Sequence, residues 1–472
     1  MKLLPILLLT LPLFAVQEGT FLQYKEAEVV TEEKDIREDY QYPLLKEIQA
    51  PTKEQELSLQ QQVIDYFGTF VTSSPYPGVR ATYEGTELMS SLSSVNKDLQ
   101  ILLELEEAML YLKEKNIPYP DNPRIFLSGQ IEVTGIVQKD ATGHPESDID
   151  LSDTEIDFLI VVAPWIYGYV GLEYDNSIDP ALSQDRIQNS RIHGDSIFVT
   201  LGDFTFSPWY LTIGQTYIPF GQYTTYDAIH NPLTKVLFRT LARDVALGFY
   251  TNHFQFSAYV FKGSSYADSG NNINNYGATG GVSFNIKTFE AKMAVGLIRN
   301  IADSLGMQAF FGNPLNSEKL HHVVPGLNAH GIFTYGNWTL ILAYNQAIRN
   351  FNHLDVAFSK NGTTFFGPRP KAFDAELAYA FQIMQRPTSI ALSYTRSYEA
   401  LPFNVPKERT TLTCATYVYR GCLLSFEFNS DKLYDKNNRI SNNFARGNPY
   451  FINPQNLGHR DYSFGIDFLM YF

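Results

Sequence analysis

The chain has 472 residues, 44% hydrophobic, 18% charged and 14% aromatic, with a formal net charge of −14. So few charges beside so many aromatics exclude a disordered chain, and the acidic balance excludes a nucleic-acid-binding surface. Two cysteines exclude a disulfide framework or a four-cysteine zinc site, and no window reaches 18 uninterrupted apolar residues, which excludes a helical span but not a membrane β-barrel, whose strands are apolar only at every second residue.

Residues 1–16 carry Lys2 and then an apolar run broken only by Thr10 and two prolines. That charge and length predict a signal peptide, cleaved near Ala15–Gln17, and an exported protein of a Gram-negative type of envelope. Residues 17–53 are acidic and without a clear period, which predicts a poorly ordered tail. Charge then divides the chain: residues 1–123 carry a balance of −10 and residues 124–472 one of −4. The boundary is Ile117–Pro123, where three prolines forbid a continuing helix or central strand. Within the front third, Val95, Leu99, Leu102, Leu105, Met109 and Leu112 recur at helical spacing and predict an amphipathic helix over about 94–115, capped by Ser94 or Asn96. Its apolar stripe can pack on a small domain of its own or join subunits in a short coiled coil. The reading for residues 17–123 is an acidic periplasmic region.

From Arg124 onward an alternation of two replaces the helical period. Phe373, Ala375, Leu377, Tyr379 and Phe381 alternate with Asp374, Glu376 and Gln382; Tyr462, Phe464, Ile466, Phe468, Met470 and Phe472 alternate with Asp461, Ser463, Gly465 and Asp467. Sixteen such strands fit between 125 and 472. Short turns, such as Thr251–Asn252, Lys287–Thr288, Gly336–Asn337 and Arg420–Gly421, alternate with long polar loops at about 138–153, 175–195, 218–241, 263–275, 300–325, 349–371, 398–407 and 432–459. A soluble sandwich has no reason to sort its connections in this way; an outer-membrane barrel does. The fold class is therefore all-β: a 16-stranded antiparallel transmembrane β-barrel over 124–472, preceded by a small, partly helical periplasmic segment. Both chain ends of the barrel fall on the short-turn rim, and Phe472 resembles the terminal signal of such barrels.

In the front third, Ser73–Tyr76, Gly78–Arg80, Glu87–Leu88 and Val95–Leu102 together with the barrel layout resemble the LbtU family of siderophore porins. The resemblance implies uptake of an iron-loaded siderophore through a barrel without a plug domain. It carries no map of ligand-binding residues.

Parity names the lumen. If apolar faces point to lipid, Glu132, Glu155, Asp157, Glu173, Asp374, Glu376, Glu427 and Asp467 point inward, with Lys292 and Arg409 as the basic residues of that parity. Lys235, Arg239 and Arg243 are spaced four apart in the third long loop and its exit. On one helical face opposite an acidic wall they would set up a transverse field across a constriction; alternatively they pair with wall acids. His321 and His322 lie in a loop with Glu318 nearby and are read as solvated. Cys414 and Cys422 are placed opposite Glu427 and Tyr419, too far apart to pair. No catalytic constellation, metal site or cofactor is expected. His330, deep in a strand, has no identifiable nucleophile beside it, so the chain is read as no enzyme. The expected partners are a siderophore or another small polar solute, outer-membrane lipid and, as an open expectation, further copies in a trimer, with no nucleic acid; a general diffusion porin is the alternative.

Overall fold

In the computed structural model, residues 70–72, 89, 93–114, 123–139, 143, 145–151, 153–175, 191–263, 272–311, 320–384, 386–419, 421–440 and 457–472 are described. The signal-peptide reading, the acidic tail and the segments Ser73–Arg80 and Glu87–Leu88 lie outside them. The strands are β1 (Arg124–Lys139), β2 (Pro145–Asp150 continued by Thr154–Ala163), β3 (Ile166–Asp175), β4 (Arg191–Gly202), β5 (Trp209–Tyr217), β6 (Leu241–Tyr250), β7 (Phe254–Phe261) and β8 (Asn275–Ile286). They are followed by β9 (Phe289–Ile298), β10 (Gly326–Tyr335), β11 (Trp338–Ala347), β12 (Lys371–Ile383), β13 (Arg386–Tyr398), β14 (Glu408–Tyr419), β15 (Cys422–Lys432) and β16 (Arg460–Tyr471). Each pairs antiparallel with the next, and β1 pairs with β16, so the sheet is a closed 16-stranded barrel.

The predicted loop at 138–153 is mostly strand. Pro145–Asp150 pairs with Thr134–Lys139, and Thr154–Ala163 resumes the same line against Arg124–Gln130. The extension lacks the apolar alternation because Glu146, Asp148 and Asp150 stand beyond the lipid-facing zone, where ladder hydrogen bonds alone keep the strand extended. A bulge between Tyr417 and Tyr419 shifts the β14–β15 register, so Cys414 faces Phe426 rather than Glu427, while Cys422 faces Tyr419 as expected; both thiols are free.

The outer face is built from rows that cross neighbouring strands. Leu377, Leu392, Leu412, Phe428, Phe464 and Val137 are consecutive partners on β12, β13, β14, β15, β16 and β1, and all are exposed. The residues between them in sequence, such as Asp374, Glu376, Ser393, Thr413, Glu427 and Asp467, are buried on the inner face. Along β16 the outward residues run from Tyr462 to Phe468 and on to Met470. At about 3.4 Å per residue and a tilt near 45°, the ten steps from Tyr462 to Phe472 span roughly 25 Å, the height of a membrane belt. All three tryptophans, Trp165, Trp209 and Trp338, are about half exposed near the short turns, beside Phe206, Tyr335 and Tyr419, as an interfacial girdle requires.

The seam is closed by the C-terminus. The Gly129 and Phe472 backbones exchange both hydrogen bonds, at 2.9 and 3.0 Å, and the Phe472 ring lies where any side chain at 129 would stand. Beyond that point Ile125–Leu127 is paired in parallel by Phe70–Thr72, which covers the overhang of β1.

Belt assignments of this kind are testable by charge. Leu392→Arg is expected to lower folding stability by about 2–4 kcal/mol, read as loss of heat-modifiable gel mobility, whereas Leu392→Ala assembles normally because lipid replaces the lost contacts.

Candidate functional site

The lumen is occupied from two sides. On the first, the helix α1 (Lys97–Glu114) lies against the inner wall of β2–β5. Its buried residues Leu99, Ile101, Leu102 and Leu105 form one cluster with Phe126, Leu159, Val161, Tyr167, Tyr169, Phe198 and Tyr210, all of inward parity. Gly202 makes the approach close enough, since a Cβ there would stand 2.9 Å from Leu102 Cδ2. Each buried leucine or isoleucine contributes about 1.5–3 kcal/mol. Polar contacts fix the helix along the wall: Tyr167 donates to the Asp98 carbonyl, Thr212 Oγ1 donates to Asp98 Oδ2 at 2.6 Å, and Lys97 Nζ meets Tyr169 Oη at 2.8 Å and Glu155 Oε1 at 3.4 Å. Burial raises the Asp98 carboxyl above its ordinary range. Lys97 is raised as well: burial opposes its charge, and the Glu155, Asp157 and Asp195 carboxylates outweigh that cost.

The helix predicted over 94–115 is therefore present, but as part of the barrel's interior and not as an independent periplasmic region. The helix takes up part of the lumen along one wall. Asn96 enters the helix at a φ of 58°, and Val95 N–H is bonded by Ser93 Oγ at 3.2 Å, so neither Ser94 nor Asn96 takes the expected capping bond. The signal was in the strands: Phe126, Leu159, Val161, Tyr167, Tyr169 and Phe198 are apolar or aromatic at positions that a water-filled lumen would make polar.

On the second side, the loop between β5 and β6 folds into the barrel and lands on β12–β16. Tyr226 N–H and Thr225 Oγ1 donate to the two oxygens of Glu376, at 2.6 and 2.8 Å. Ala228 and Ile229 N–H donate to Glu427 Oε2 at 2.7 and 2.8 Å, while His230 N–H, at 3.0 Å, and its Nδ1, at 2.7 Å, meet Glu427 Oε1. Ser393 Oγ donates to Asp227 Oδ2 at 2.7 Å, and His230 Nε2 lies 3.2 Å from Ser463 Oγ. Arg409 grips Asp431 with two bonds of 2.7 and 2.8 Å and donates to the Asn231 carbonyl at 2.8 Å. The inward acids Glu376 and Glu427 thus bind the loop's backbone; they are not free pore-lining charges. A carboxylate with four donors holds each by about 1.5–3 kcal/mol.

The other predicted residues divide. Glu132 and Asp467 are bridged by Thr134 Oγ1, at 3.4 and 3.1 Å. Asp157 accepts from Tyr169, and Asp374 lies buried on the inner wall two residues from Glu376. Glu173 gathers with His193 and Asp195, whose carboxylate also accepts from Tyr217 Oη at 2.7 Å. Lys292 pairs with Glu290 of its own strand at 2.5 Å. The basic trio does not share a face. Lys235 lies on α2 (Leu233–Phe238), which ends before Arg239; Arg239 is extended and stacks over Tyr217 at 4.5 Å; Arg243 is exposed, with the outward parity of Val245 and Leu247. Spacing of four aligns residues only while the helix lasts, and the strand that follows turns Arg243 to the outside. His321 is no merely solvated residue: its Nδ1 is 2.6 Å from Asp355 Oδ1, and His322 Nε2 bonds the Asn350 carbonyl at 2.9 Å. His330 lies 2.7 Å from Asn328 Oδ1.

A closed sixteen-stranded barrel with an apolar outer belt, an aromatic girdle and an inward-folded loop defines the outer-membrane porin class of fold. A solved structure agrees: the outer membrane channel DcaP of Acinetobacter baumannii superposes with a TM-score of 0.50 at 10% identity, over 75% of this chain and 99% of that one. No protein-family model matches the chain. Among curated proteins, it is 28% identical over 377 residues to a UPF0422 protein of Coxiella burnetii, covering 79% of this chain and 78% of the relative. It is also 28% identical over 414 residues to a UPF0422 protein of Legionella pneumophila, covering 84% and 75%.

Two measurements probe the loop anchor. Glu427→Gln leaves one oxygen for four donors and turns an amide NH2 towards backbone N–H groups, so the loop should detach at a cost of about 2–5 kcal/mol; larger and noisier single-channel conductance is expected. Burial pushes Asp227, in the loop, up to about 7. Its proton is then held more tightly in the folded state, so its contribution to anchoring is full below its ordinary pKa of about 4 and is lost as pH rises to about 7. Conductance noise should grow between pH 5 and 8 in the wild type and change less in Asp227→Asn.

Proposed function

We propose that the chain is a narrow channel of the outer membrane that passes a small polar solute by diffusion, without catalysis. The observation that carries the reading is the inward loop whose backbone is clamped to Glu376 on β12 and Glu427 on β15, while α1 packs on β2–β5. In this reading a polar solute passes between the two inserted elements and exchanges water for fixed charges and donors of the inner wall. The fold shared with an outer membrane channel supports the reading.

An iron-loaded siderophore is the solute class that the resemblance to the siderophore porins implies, and it is part of the proposal. The long loops then face outward and the short turns face the periplasm. A narrow lumen favours a solute-specific channel over a general diffusion porin. Deleting the gene should lower iron–siderophore uptake while deletion of inner-membrane energy-coupling proteins should not, because α1 is held by the barrel's own contacts. In liposome swelling, small neutral sugars should pass slowly through the wild type and faster through Glu427→Gln. Siderophore uptake unchanged by the deletion would favour the general porin.

A further inference from the structure

The outer face of β12–β16 changes character at its long-loop end. One step above the apolar row, Tyr394, Thr410, Ser430 and Tyr462 face one another across the strands. One step further, about 7 Å along the strand, come Phe373, Arg396, Glu408, Lys432 and Arg460, again as consecutive cross-strand partners. The row thus holds three cations and one carboxylate. Glu408 is shared by Arg396, at 3.5 Å, and Lys432, at 3.3 Å, while Lys432 and Arg460 stand opposite one another as like charges. Like charges directly opposite on a sheet repel. Next above them are Lys371 and Tyr398, another cross-strand pair, and these line a cavity of about 550 Å³ together with Arg369, Tyr434 and the ion pairs Lys360–Glu399 and Lys407–Asp435. Arg243, on β6, also faces outward, two residues beyond the belt residue Val245. The short-turn end carries tryptophans and other aromatics at the corresponding depth.

We propose that this patch binds a phosphorylated, multiply acylated glycolipid of the outer leaflet. Its acyl chains lie along the row Leu392, Leu412, Phe428 and Phe464, its ester and sugar level meets the Tyr394–Tyr462 hydroxyl row, and its phosphates meet Arg396, Lys432 and Arg460. The occupant follows from continuity and charge. The cationic row is stacked directly on the lipid-facing belt, so a ligand that fills both must carry hydrocarbon and anion in that order. A phosphate between Lys432 and Arg460 relieves their repulsion and accepts from guanidinium in a geometry that suits it. The inference rests on the long-loop rim facing outward, as in the proposed function, but not on what the channel passes.

The test uses full-length protein purified in mild detergent from outer membranes, with co-purified glycolipid phosphate measured per chain. The variant Arg396→Gln/Lys432→Gln/Arg460→Gln should retain at least about tenfold less, since three charge-assisted contacts are lost. Arg386→Gln, at the short-turn rim, should retain as much as the wild type. Glu408→Gln removes the row's only carboxylate and should retain as much or more; a loss there overturns the proposal. Refolded protein in phosphatidylcholine vesicles gives the second reading. A bis-phosphorylated acylated disaccharide should raise the melting midpoint of the wild type and not that of the triple variant, while its dephosphorylated form and inorganic phosphate should leave both unchanged. Equal stabilisation of both proteins, or stabilisation by inorganic phosphate, overturns the proposal. So does an unaltered lipid content in a triple variant that has lost an oligomer, which would make the patch a surface for a second copy. Solute-transport assays are independent of all these outcomes.

Discussion

Every backbone N–H and C=O in the hydrocarbon layer must find a partner within the protein, and in a sheet that demand is met only by closure. Closure here depends on the pairing of β1 with β16, completed by the exchanged bonds of Gly129 and Phe472 and by Phe70–Thr72 on the overhang. Once the barrel is closed, each strand has one face for lipid and one for the lumen, and the chemistry of the protein is divided accordingly.

Two insertions of opposite chemistry enter the lumen. α1 is held chiefly by apolar contact with Leu159, Val161, Tyr169 and Phe198, with Lys97 set between Glu155 and Tyr169 as a polar pin. The loop on β12–β16 is held by carboxylates that accept its backbone donors. The difference matters for dynamics. Apolar packing is insensitive to pH and salt, whereas a loop tied through Glu376, Glu427 and Asp227 responds to protonation and to any competing cation. The loop is therefore the more adjustable of the two insertions.

The acids of inward parity do different work from the one their sequence pattern suggested. Alternation correctly put Glu376 and Glu427 inside the barrel, but a count of charges cannot tell a solvated carboxylate from one saturated by N–H donors of a segment some two hundred residues away. Arg243 illustrates the converse. Its spacing from Lys235 and Arg239 is helical, yet the helix stops at Phe238 and the strand decides its direction.

Periodicity and gap lengths by themselves determined the barrel, its strand number, which side chains meet lipid and which rim carries the short turns, because these follow from local geometry: a period of two and the chain needed to cross the membrane. They also marked α1 as a helix with one apolar stripe. What the stripe packs against was settled only in three dimensions, since Leu99 and Leu102 would bury equally well in a separate domain or a coiled coil. The inward aromatics of β2–β5 choose between these, and they meet the helix only after the sheet has curled around it. The cationic row of Arg396, Lys432 and Arg460 is of the same kind. Its members are 36 and 28 residues apart in the chain, and only the register of three antiparallel pairings sets them side by side at one height above the lipid.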